Sequence, residues 1–248
     1  MEERPLTAGR TAMGVLRRIR EKGVAGVSRA VWDRLEERLL EGYYERSLGI
    51  ATAGRISRQA LGYESAEWSE YGASTYGNIR RIMRAMEVDP DRDVFVDFGC
   101  GKGRVVIAAA FYPFARVIGV ERSPALGDAA RRNVERARSR LACPRIDIVT
   151  ADASAYDVPD EATIIYFASP FSGATLDTVL DNVKASLVRS PRRLRVVSHG
   201  YDAANPFEQQ IRRHEWLALS AEIPLQRSNS AWVYVNSRWT CGPVQPAA

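Results

Sequence analysis

A glycine-rich turn at residues 99–103 is the feature that most restricts how this chain can fold. In the segment Val94-Phe-Val-Asp-Phe-Gly-Cys-Gly-Lys-Gly-Arg104, an apolar run leads directly into three glycines within five residues. Glycine adopts backbone conformations that other residues avoid, and a glycine loop lets a ligand approach the backbone above a helix N-terminus. An ordinary β–α turn needs only one or two glycines. The segment therefore predicts a strand, a ligand-binding loop and a helix in succession.

The residues of this loop favour some ligands over others. A dinucleotide fingerprint has the spacing G-x-G-x-x-G, whereas here the third glycine comes one residue early and Arg104 stands in its place. A P-loop ends in Gly-Lys-Ser/Thr, but Gly103 is followed by Arg104 and Val105. Asp97, at the mouth of the loop, repels an anion and suits an ammonium group or ordered water. The loop thus indicates a ligand with a positively charged group at this point.

Apolar runs rich in Val and Ile alternate with helical patterns on both sides of the loop. Strands that are apolar throughout fit a parallel sheet buried on both faces, and the repeated β–α order fits a doubly wound α/β fold. Two runs near the C-terminus, 216–225 and 231–238, predict an antiparallel hairpin. The predicted strands are Val94–Phe98, Arg116–Val120, Ile146–Thr150, Ala162–Ala168 and Leu194–Ser198. The predicted helices begin at Ser74 or Thr75, Arg104, Pro124 and Leu176.

Residues 1–60 have a different pattern, which predicts a helical accessory segment in front of a domain at 61–248. Ser28 is suited to cap a helix that runs to about Tyr44, and Val31, Leu35, Leu39 and Leu40 recur along it with helical spacing. No strand pattern precedes residue 90. The segment also carries much of the charge: it holds 12 basic and 8 acidic residues, a net of +4 of the chain's +5. The rest of the chain is almost neutral, which argues against an extended nucleic-acid surface there.

Two further acids end the next two predicted strands. Glu121 follows Val117-Ile-Gly-Val, and a carboxylate at this point can accept both hydrogens of a ribose diol. Asp152 follows Val149-Thr-Ala, where it can accept a hydrogen bond from the exocyclic amine of adenine. A helix N-cap is an alternative role for Asp152.

Asp97-Phe-Gly-Cys-Gly-Lys-Gly, Val120-Glu121 and Ala151-Asp152, in this order and spacing, resemble the class I, seven-strand S-adenosylmethionine-dependent methyltransferases. The similarity covers about residues 68–240 and includes the terminal hairpin. It implies a seven-stranded, mostly parallel sheet that ends in an antiparallel hairpin, with S-adenosylmethionine as cofactor and no metal. The cofactor-binding residues that it implies are Asp97, Gly99, Cys100, Gly101, Gly103, Glu121, Arg122, Asp152, Ala153 and Thr75.

One branch of these enzymes is more similar than others. Tyr71-Gly-Ala-Ser-Thr-Tyr76, before the first core strand, is similar to the Tyr-Gly-Glu-Thr segment of histone lysine methyltransferases of the DOT (disruptor of telomeric silencing) type. In those enzymes this loop covers the methionine end of the cofactor. An ordinary loop and helix cap is the alternative interpretation of these residues.

Three residues are candidates for contact with the methyl acceptor. Ser169-Pro170-Phe171 follows the fourth core strand, where amide and adenine N-methyltransferases carry Asn/Asp-Pro-Pro-Tyr/Phe. This departure argues against DNA adenine or glutamine methylation, although Ser169 can still bond a substrate. His199, after the fifth strand, is the candidate general base. Tyr71 supplies a further hydroxyl group. A structural turn at Ser169 and a polar loop histidine at His199 are the alternatives.

The sequence thus predicts methyl transfer to a nitrogen or oxygen of a small molecule or a protein side chain. A methyltransferase for RNA or nucleoprotein is an alternative, since Arg10–Arg29 carries a net charge of +5. A non-catalytic cofactor-binding subunit is another. Three cysteines without a CxxC pair favour a reducing cytoplasm and no zinc. The apolar runs are too short for a membrane span, and the N-terminus lacks the pattern of a signal peptide.

Overall fold

Seven strands form the central sheet of the protein, and helices cover both of its faces. The computed structural model describes residues 31–200, 205–226 and 229–237. The strands are β1 (Arg55–Ile56), β2 (Tyr71–Gly72), β3 (Val94–Phe98), β4 (Arg116–Glu121), β5 (Ile146–Thr150), β6 (Ile164–Phe167), β7 (Arg195–Gly200), β8 (Leu217–Pro224) and β9 (Ser230–Asn236). The helices are α1 (residues 31–47), α2 (Tyr76–Ala85), α3 (Arg104–Ala110), α4 (Pro124–Ala137), α5 (Gly173–Arg189) and α6 (Pro206–Arg212).

The order of the strands explains where a ligand can bind. The large sheet runs β5-β4-β3-β6-β7-β9-β8, with β3 to β7 parallel to one another and β9 antiparallel to both of its neighbours, β7 and β8. The chain reverses its direction of travel across the sheet between β3 and β6, because β4 and β5 lie on one side of β3 and β6 and β7 on the other. In open α/β sheets, ligands bind at such a switch point, beyond the carboxyl ends of the strands.

The predicted α/β fold is confirmed, including the parallel sheet and the terminal hairpin. Strands β3 and β5 have the predicted bounds, and the other core elements shift by a few residues at their ends. The apolar strand residues alternate between two buried clusters. One cluster packs beneath α2, α3 and α4, and the other beneath α5 and α6. Both faces of the sheet are therefore buried, which is why the strands lack a polar side.

The prediction for residues 1–60 is wrong in two respects. Helix α1 ends at residue 47, and a loop and the short antiparallel pair β1–β2 follow, although no strand pattern was expected before residue 90. Of the four apolar residues on its predicted face, Val31, Leu35 and Leu39 are exposed, whereas Leu40 packs against the core. The predicted cap at Ser28 lies outside the described residues. None of the described helices combines the length and the apolar character that crossing a membrane requires.

Candidate cofactor and acceptor site

Four ionisable side chains lie in one row at the carboxyl ends of the strands. Asp97 on β3 pairs with Gly119 on β4 and with Tyr166 on β6, which in turn pairs with Val197 on β7. Alternate residues of a strand share a face, so Glu121 and His199 lie on the same face as Asp97 and Tyr166. The sheet register therefore brings Glu121, Asp97, Tyr166 and His199 to one edge.

The glycine loop lies against neighbouring segments at distances that only glycine allows. Gly99 and Gly101 have φ values of +75° and +56°, in the left-handed region that disfavours residues with a Cβ. A Cβ on Gly99 would lie 2.3 Å from Cβ of Pro170, and one on Gly101 would lie 2.3 Å from the Tyr71 ring. Backbone N–H groups of Gly99 and Cys100 donate to the carbonyl oxygen of Val120 at 2.8 and 3.1 Å. The loop is thus fixed to β4 and packed closely against Pro170 and Tyr71.

Asp97 is a buried carboxyl group with an unused oxygen. Its side chain is 2% exposed, and Oδ2 has no hydrogen-bond partner among the described residues. Burial, together with the nearby Glu121 carboxylate, raises the pKa of Asp97 well above its ordinary value. An unpaired buried carboxylate is costly, and an ammonium group placed beside it removes that cost. Asp97 therefore fits the amino group of the methionine part of S-adenosylmethionine.

Glu121 is buried as well, but three donors hold its carboxylate in place. Oε2 accepts from the backbone N–H of Gly101 at 2.8 Å, and Oε1 accepts from the backbone N–H of Ser123 at 2.8 Å. The Tyr63 hydroxyl also donates to Oε1, at 3.1 Å. Burial nevertheless raises the pKa of Glu121 above its ordinary value. The backbone donors leave lone pairs for a diol, so this carboxylate fits the ribose hydroxyls.

An aromatic strap, residues 61–72, passes over the cleft beside these acids. The Arg122 guanidinium stacks on the Trp68 ring at 4.5 Å and on the Tyr63 ring at 5.7 Å. The Tyr71 ring lies on the glycine loop, and its hydroxyl donates to the carbonyl oxygen of Thr52. The cleft is lined by these aromatic residues and by Asp97, Gly99, Cys100, Gly101, Val105, Glu121, Arg122, Leu126, Ala151 and Ala153, among others.

The strap is fastened to the far side of the sheet by hydrogen bonds. The Glu67 carboxylate accepts from the backbone N–H groups of Ala174 and Thr175, at 3.0 and 3.1 Å, where α5 begins. It thereby serves as the helix cap, because the N-cap residue Ser172 makes no side-chain cap bond. The Ser69 hydroxyl donates to the carbonyl oxygen of Ser169 at 2.7 Å. The strap consequently lies at the end of β6, where a methyl acceptor is expected.

A second and larger cavity, of about 750 Å³, opens beside the cofactor cleft. The two share the lining residues Ser69, Glu70, Gly72, Ala73, Ser74, Arg104, Ala168 and Ser169. Helix α1 forms one wall of the larger cavity, and the ends of β6 and β7 form another. We call this space the acceptor cavity. Its volume lies in the range of pockets that bind small molecules.

His199 and Ser169 both line the acceptor cavity. Nδ1 of His199 lies 2.7 Å from the Tyr166 hydroxyl, and burial lowers the pKa of His199 to about 4. The imidazole is therefore neutral at pH 7. Ser169 has a φ value of +52°, which is strained for a residue that also precedes a proline. The Ser169 hydroxyl donates to the carbonyl oxygen of His199 at 3.4 Å, which joins the ends of β6 and β7.

Arg104 connects both cavities to the N-terminal helix. Its guanidinium is almost fully buried, and it contacts Glu41 at 2.9 Å, Glu45 at 3.2 Å and Glu37 at 3.8 Å, all on α1. It also stacks on the Tyr76 ring at 4.4 Å. Glu37 in turn accepts from the first backbone N–H groups of α2. Helix α1 is thus attached to the core by a network of ion pairs and helix-capping bonds.

The structure places the other candidate cofactor residues in different surroundings. Asp152 does not line the cleft: its Oδ1 accepts from the backbone N–H of Ser154 at 3.0 Å, in the N-cap arrangement that the sequence left open. Thr75 lines the acceptor cavity, where its hydroxyl oxygen is buried without a described partner. Gly103, at φ +83°, precedes α3 and packs on Ala130. The roles of these residues stay predictions.

Several residues of the site were not identified from the sequence. They are Tyr63, Glu67, Trp68 and Ser69 of the strap, together with Arg104. The two aromatic residues Tyr63 and Trp68, in an otherwise polar segment, were a signal that could have identified the strap. Arg104 was noted in place of a fingerprint glycine, but its partners lie on a helix about 60 residues away along the chain. Within the described ranges, no group of three His, Cys, Asp or Glu side chains is suited to hold a metal ion.

Comparison with known proteins agrees with this geometry. Residues 95–190 match a family model described as a methyltransferase domain. No curated protein matches. Among solved structures, the pyocyanin biosynthetic protein PhzM has a TM-score of 0.52 at 17% identity, over 65% of this chain and 55% of that one. An RNA methyltransferase from Salinibacter ruber, solved with S-adenosyl-L-homocysteine, has a TM-score of 0.47 at 22% identity, over 68% and 95% of the two chains.

The family match spans the glycine loop and the acids Asp97, Glu121 and Asp152. The likeness to PhzM supports the same sheet architecture. Residues 95–190 therefore match a methyltransferase domain, on a sheet of the class I architecture, which indicates an enzyme that uses S-adenosylmethionine.

Proposed function

We propose that this enzyme transfers the methyl group to an oxygen or nitrogen atom of a small molecule held in the acceptor cavity. The observation that carries the proposal is the common wall of the two spaces. The cofactor cleft and the acceptor cavity share eight lining residues, so a donor in one and an acceptor in the other would lie next to each other. A cavity of about 750 Å³ is large enough to hold a small molecule.

The cofactor roles follow from the geometry of the cleft. Asp97 holds the ammonium group, and Glu121 holds the ribose diol. Gly99 and Gly101 line the cleft beside the methionine part. Asp152 receives the adenine amine once its bond to Ser154 is exchanged, and Arg122 and Ala153 lie beside the same end of the cleft. Cys100, Gly103 and Thr75 complete the set as residues that shape the loop and the adjoining wall.

The bound cofactor supplies an electrophilic methyl group, and the protein has to position and deprotonate the acceptor. The place of His199 in the cavity wall supports a role as general base, which requires the tautomer in which Nδ1–H donates to the Tyr166 hydroxyl and Nε2 is unprotonated. Ser169 supports a role in orienting the acceptor, because it lines both spaces. Tyr71 acts in this account through its ring, which closes the methionine end, because its hydroxyl is bonded to Thr52.

The similarity to DOT-type enzymes supports a second candidate, in which the methyl acceptor is a protein side chain. The Tyr71–Tyr76 loop lies between the glycine loop and the acceptor cavity, a position that fits a cover for the methionine end. A lysine side chain would enter the same cavity, so a protein acceptor is the competing substrate class. The RNA alternative depends on Arg10–Arg29, which lies outside the described residues.

We also propose a division of the chain into two parts. Residues 61–248 form the methyltransferase domain, and the segment 1–60 is accessory in sequence. Its helix α1 is nevertheless a wall of the acceptor cavity through Arg34, Glu37, Arg38 and Glu41. We therefore expect that α1 takes part in choosing the acceptor.

A turnover experiment tests the proposed function. The full chain is incubated with S-adenosylmethionine and a panel of small phenols, carboxylic acids and amines, and S-adenosylhomocysteine is measured. We expect formation above the no-acceptor rate with at least one small molecule, and its loss in the Asp97→Asn variant. Turnover with histone-like peptides or RNA but with no small molecule would reject the small-molecule proposal.

A further inference from the structure

Not all of the charged side chains around the acceptor cavity have an ion-pair partner among the described residues. Seven charged side chains line it, and five of them are paired. Arg104 contacts Glu37 and Glu41, while Arg55 makes an ion pair with Glu70. Arg34 and Arg38 are the other two, and neither makes an ion pair within the described residues. The cavity therefore has two cations that make no ion pair among the described residues.

These two arginines are placed to act together. They are four residues apart on α1, a spacing that puts side chains next to each other on one face of a helix. Both are exposed and both line the cavity, so they lie at its rim. Arginine is the side chain best suited to bind a carboxylate or phosphate through two parallel hydrogen bonds.

The acidic side chains of the same wall already accept hydrogen bonds from other groups. Glu37 accepts two backbone N–H groups where α2 begins, and Glu45, behind the wall, accepts from the backbone N–H of Thr52 at 2.8 Å. Glu41 bonds to Arg104. Their negative charges are thus engaged with donors other than Arg34 and Arg38, which remain available to a ligand.

We propose that the methyl acceptor is an anion, and that Arg34 and Arg38 bind its carboxylate or phosphate group at the rim of the acceptor cavity. This inference rests on the proposed function and names the substrate class of the same site. The anionic group stays at the rim, and the nucleophilic atom of the acceptor extends inward to Ser169 and His199. An unpartnered buried oxygen of Thr75 lies in the same wall and can bond a polar group between the two ends.

Binding of simple probes tests this inference without knowledge of the true substrate. The full chain is saturated with S-adenosylhomocysteine and titrated with 4-fluorobenzoate, 4-fluorophenyl phosphate and the neutral 4-fluorobenzamide, with fluorine NMR line broadening as the readout. We expect both anions to bind at least about tenfold more tightly than the amide, and their affinity to fall as salt is added. Preference for one anion over the other identifies the group as carboxylate or phosphate.

Matched variants assign the binding to this pair of residues. Arg34→Gln combined with Arg38→Gln is expected to weaken the anions about tenfold and to leave the amide unchanged. Arg46→Gln is the control, since Arg46 is an exposed arginine of the same helix that does not line the cavity. It should have no effect.

Three results would overturn the inference. They are equal binding of amide and anions, unchanged anion binding in the double variant, and an equal loss in Arg46→Gln. Calorimetry with S-adenosylhomocysteine on the same samples separates the two proposals. Cofactor binding without anion binding rejects the inference alone, whereas failure to bind the cofactor rejects the proposed function with it.

Discussion

The Tyr63 hydroxyl donates a hydrogen bond to Oε1 of Glu121 at 3.1 Å, which ties the aromatic strap to the acid at the end of β4. Burial and the adjacent carboxylate raise the pKa of Tyr63 above its ordinary value, so this hydroxyl keeps its proton and remains a donor. In the proposed complex, the strap would compete with the ribose for Oε1 of Glu121.

Tyr63→Phe tests that competition. The variant keeps the ring and its contact with Arg122, but it frees Oε1 of Glu121 for the ribose. A hydrogen bond of this kind is worth about 1 kcal/mol, so we expect S-adenosylhomocysteine to bind up to about fivefold more tightly. Calorimetry measures the change. Weaker binding in the variant would mean that the Tyr63 hydroxyl contacts the cofactor instead of competing with it.

Asp97→Asn and Glu121→Gln are expected to change stability in opposite directions. Asp97 is buried with an unpartnered oxygen, so the neutral amide should stabilise the free protein by about 1–2 kcal/mol while it weakens cofactor binding at least about tenfold. Glu121 uses both oxygens on backbone donors, and glutamine turns an NH₂ group towards one of them. That variant should lose about 1–3 kcal/mol. Urea denaturation without cofactor measures both, and a loss of stability in Asp97→Asn would contradict the account of this carboxyl group.

His199 should make the stability of the protein depend on pH. Its folded-state pKa of about 4 lies below the ordinary value of 6.5, so the unfolded chain binds the proton more readily. The free energy of unfolding therefore falls as the pH drops from about 6.5 towards 4, by up to about 3 kcal/mol from this residue. His199→Gln should remove that part of the profile, as measured by urea denaturation at pH 7 and pH 4.5. Identical profiles for the two proteins would reject the assignment.

Arg104→Met tests the attachment of α1. The change leaves Glu37, Glu41 and Glu45 close together without their shared cation, and loss of one partner of a buried ion pair costs about 3–5 kcal/mol. Arg104→Lys keeps the charge but cannot reach all of the acceptors, so it should lose less. Chemical denaturation ranks the two variants. A loss below about 1 kcal/mol in Arg104→Met would show that the network does not hold the helix.

The sequence carried enough information to predict the sheet and the glycine loop. Strands such as β3 and β5 are short runs of β-branched and aromatic residues, and the local pattern defines their ends. The positions of Asp97 and Glu121 follow, because both end a parallel strand. The Tyr166–His199 pair could not be predicted in this way, since it depends on the register between β6 and β7.

The contacts of the strap and of α1 could not be predicted from local sequence patterns either, but for a different reason. Glu67 caps a helix that begins more than 100 residues later, and Glu37 caps α2 from about 40 residues before it. Such contacts leave no periodic signal in the sequence. The apolar spacing of Val31, Leu35 and Leu39 predicted a buried face, but the ion pairs of Arg104 orient the helix the other way.

Calorimetric titration of S-adenosylhomocysteine into the full chain tests the central claim, the cofactor site formed by Asp97, Glu121 and the glycine loop, most directly. We predict micromolar or tighter binding by the wild-type protein and a loss of at least about tenfold in Glu121→Ala, which removes the acceptor for the ribose diol. Wild-type binding weaker than millimolar, or equal affinity in the variant, would contradict the account.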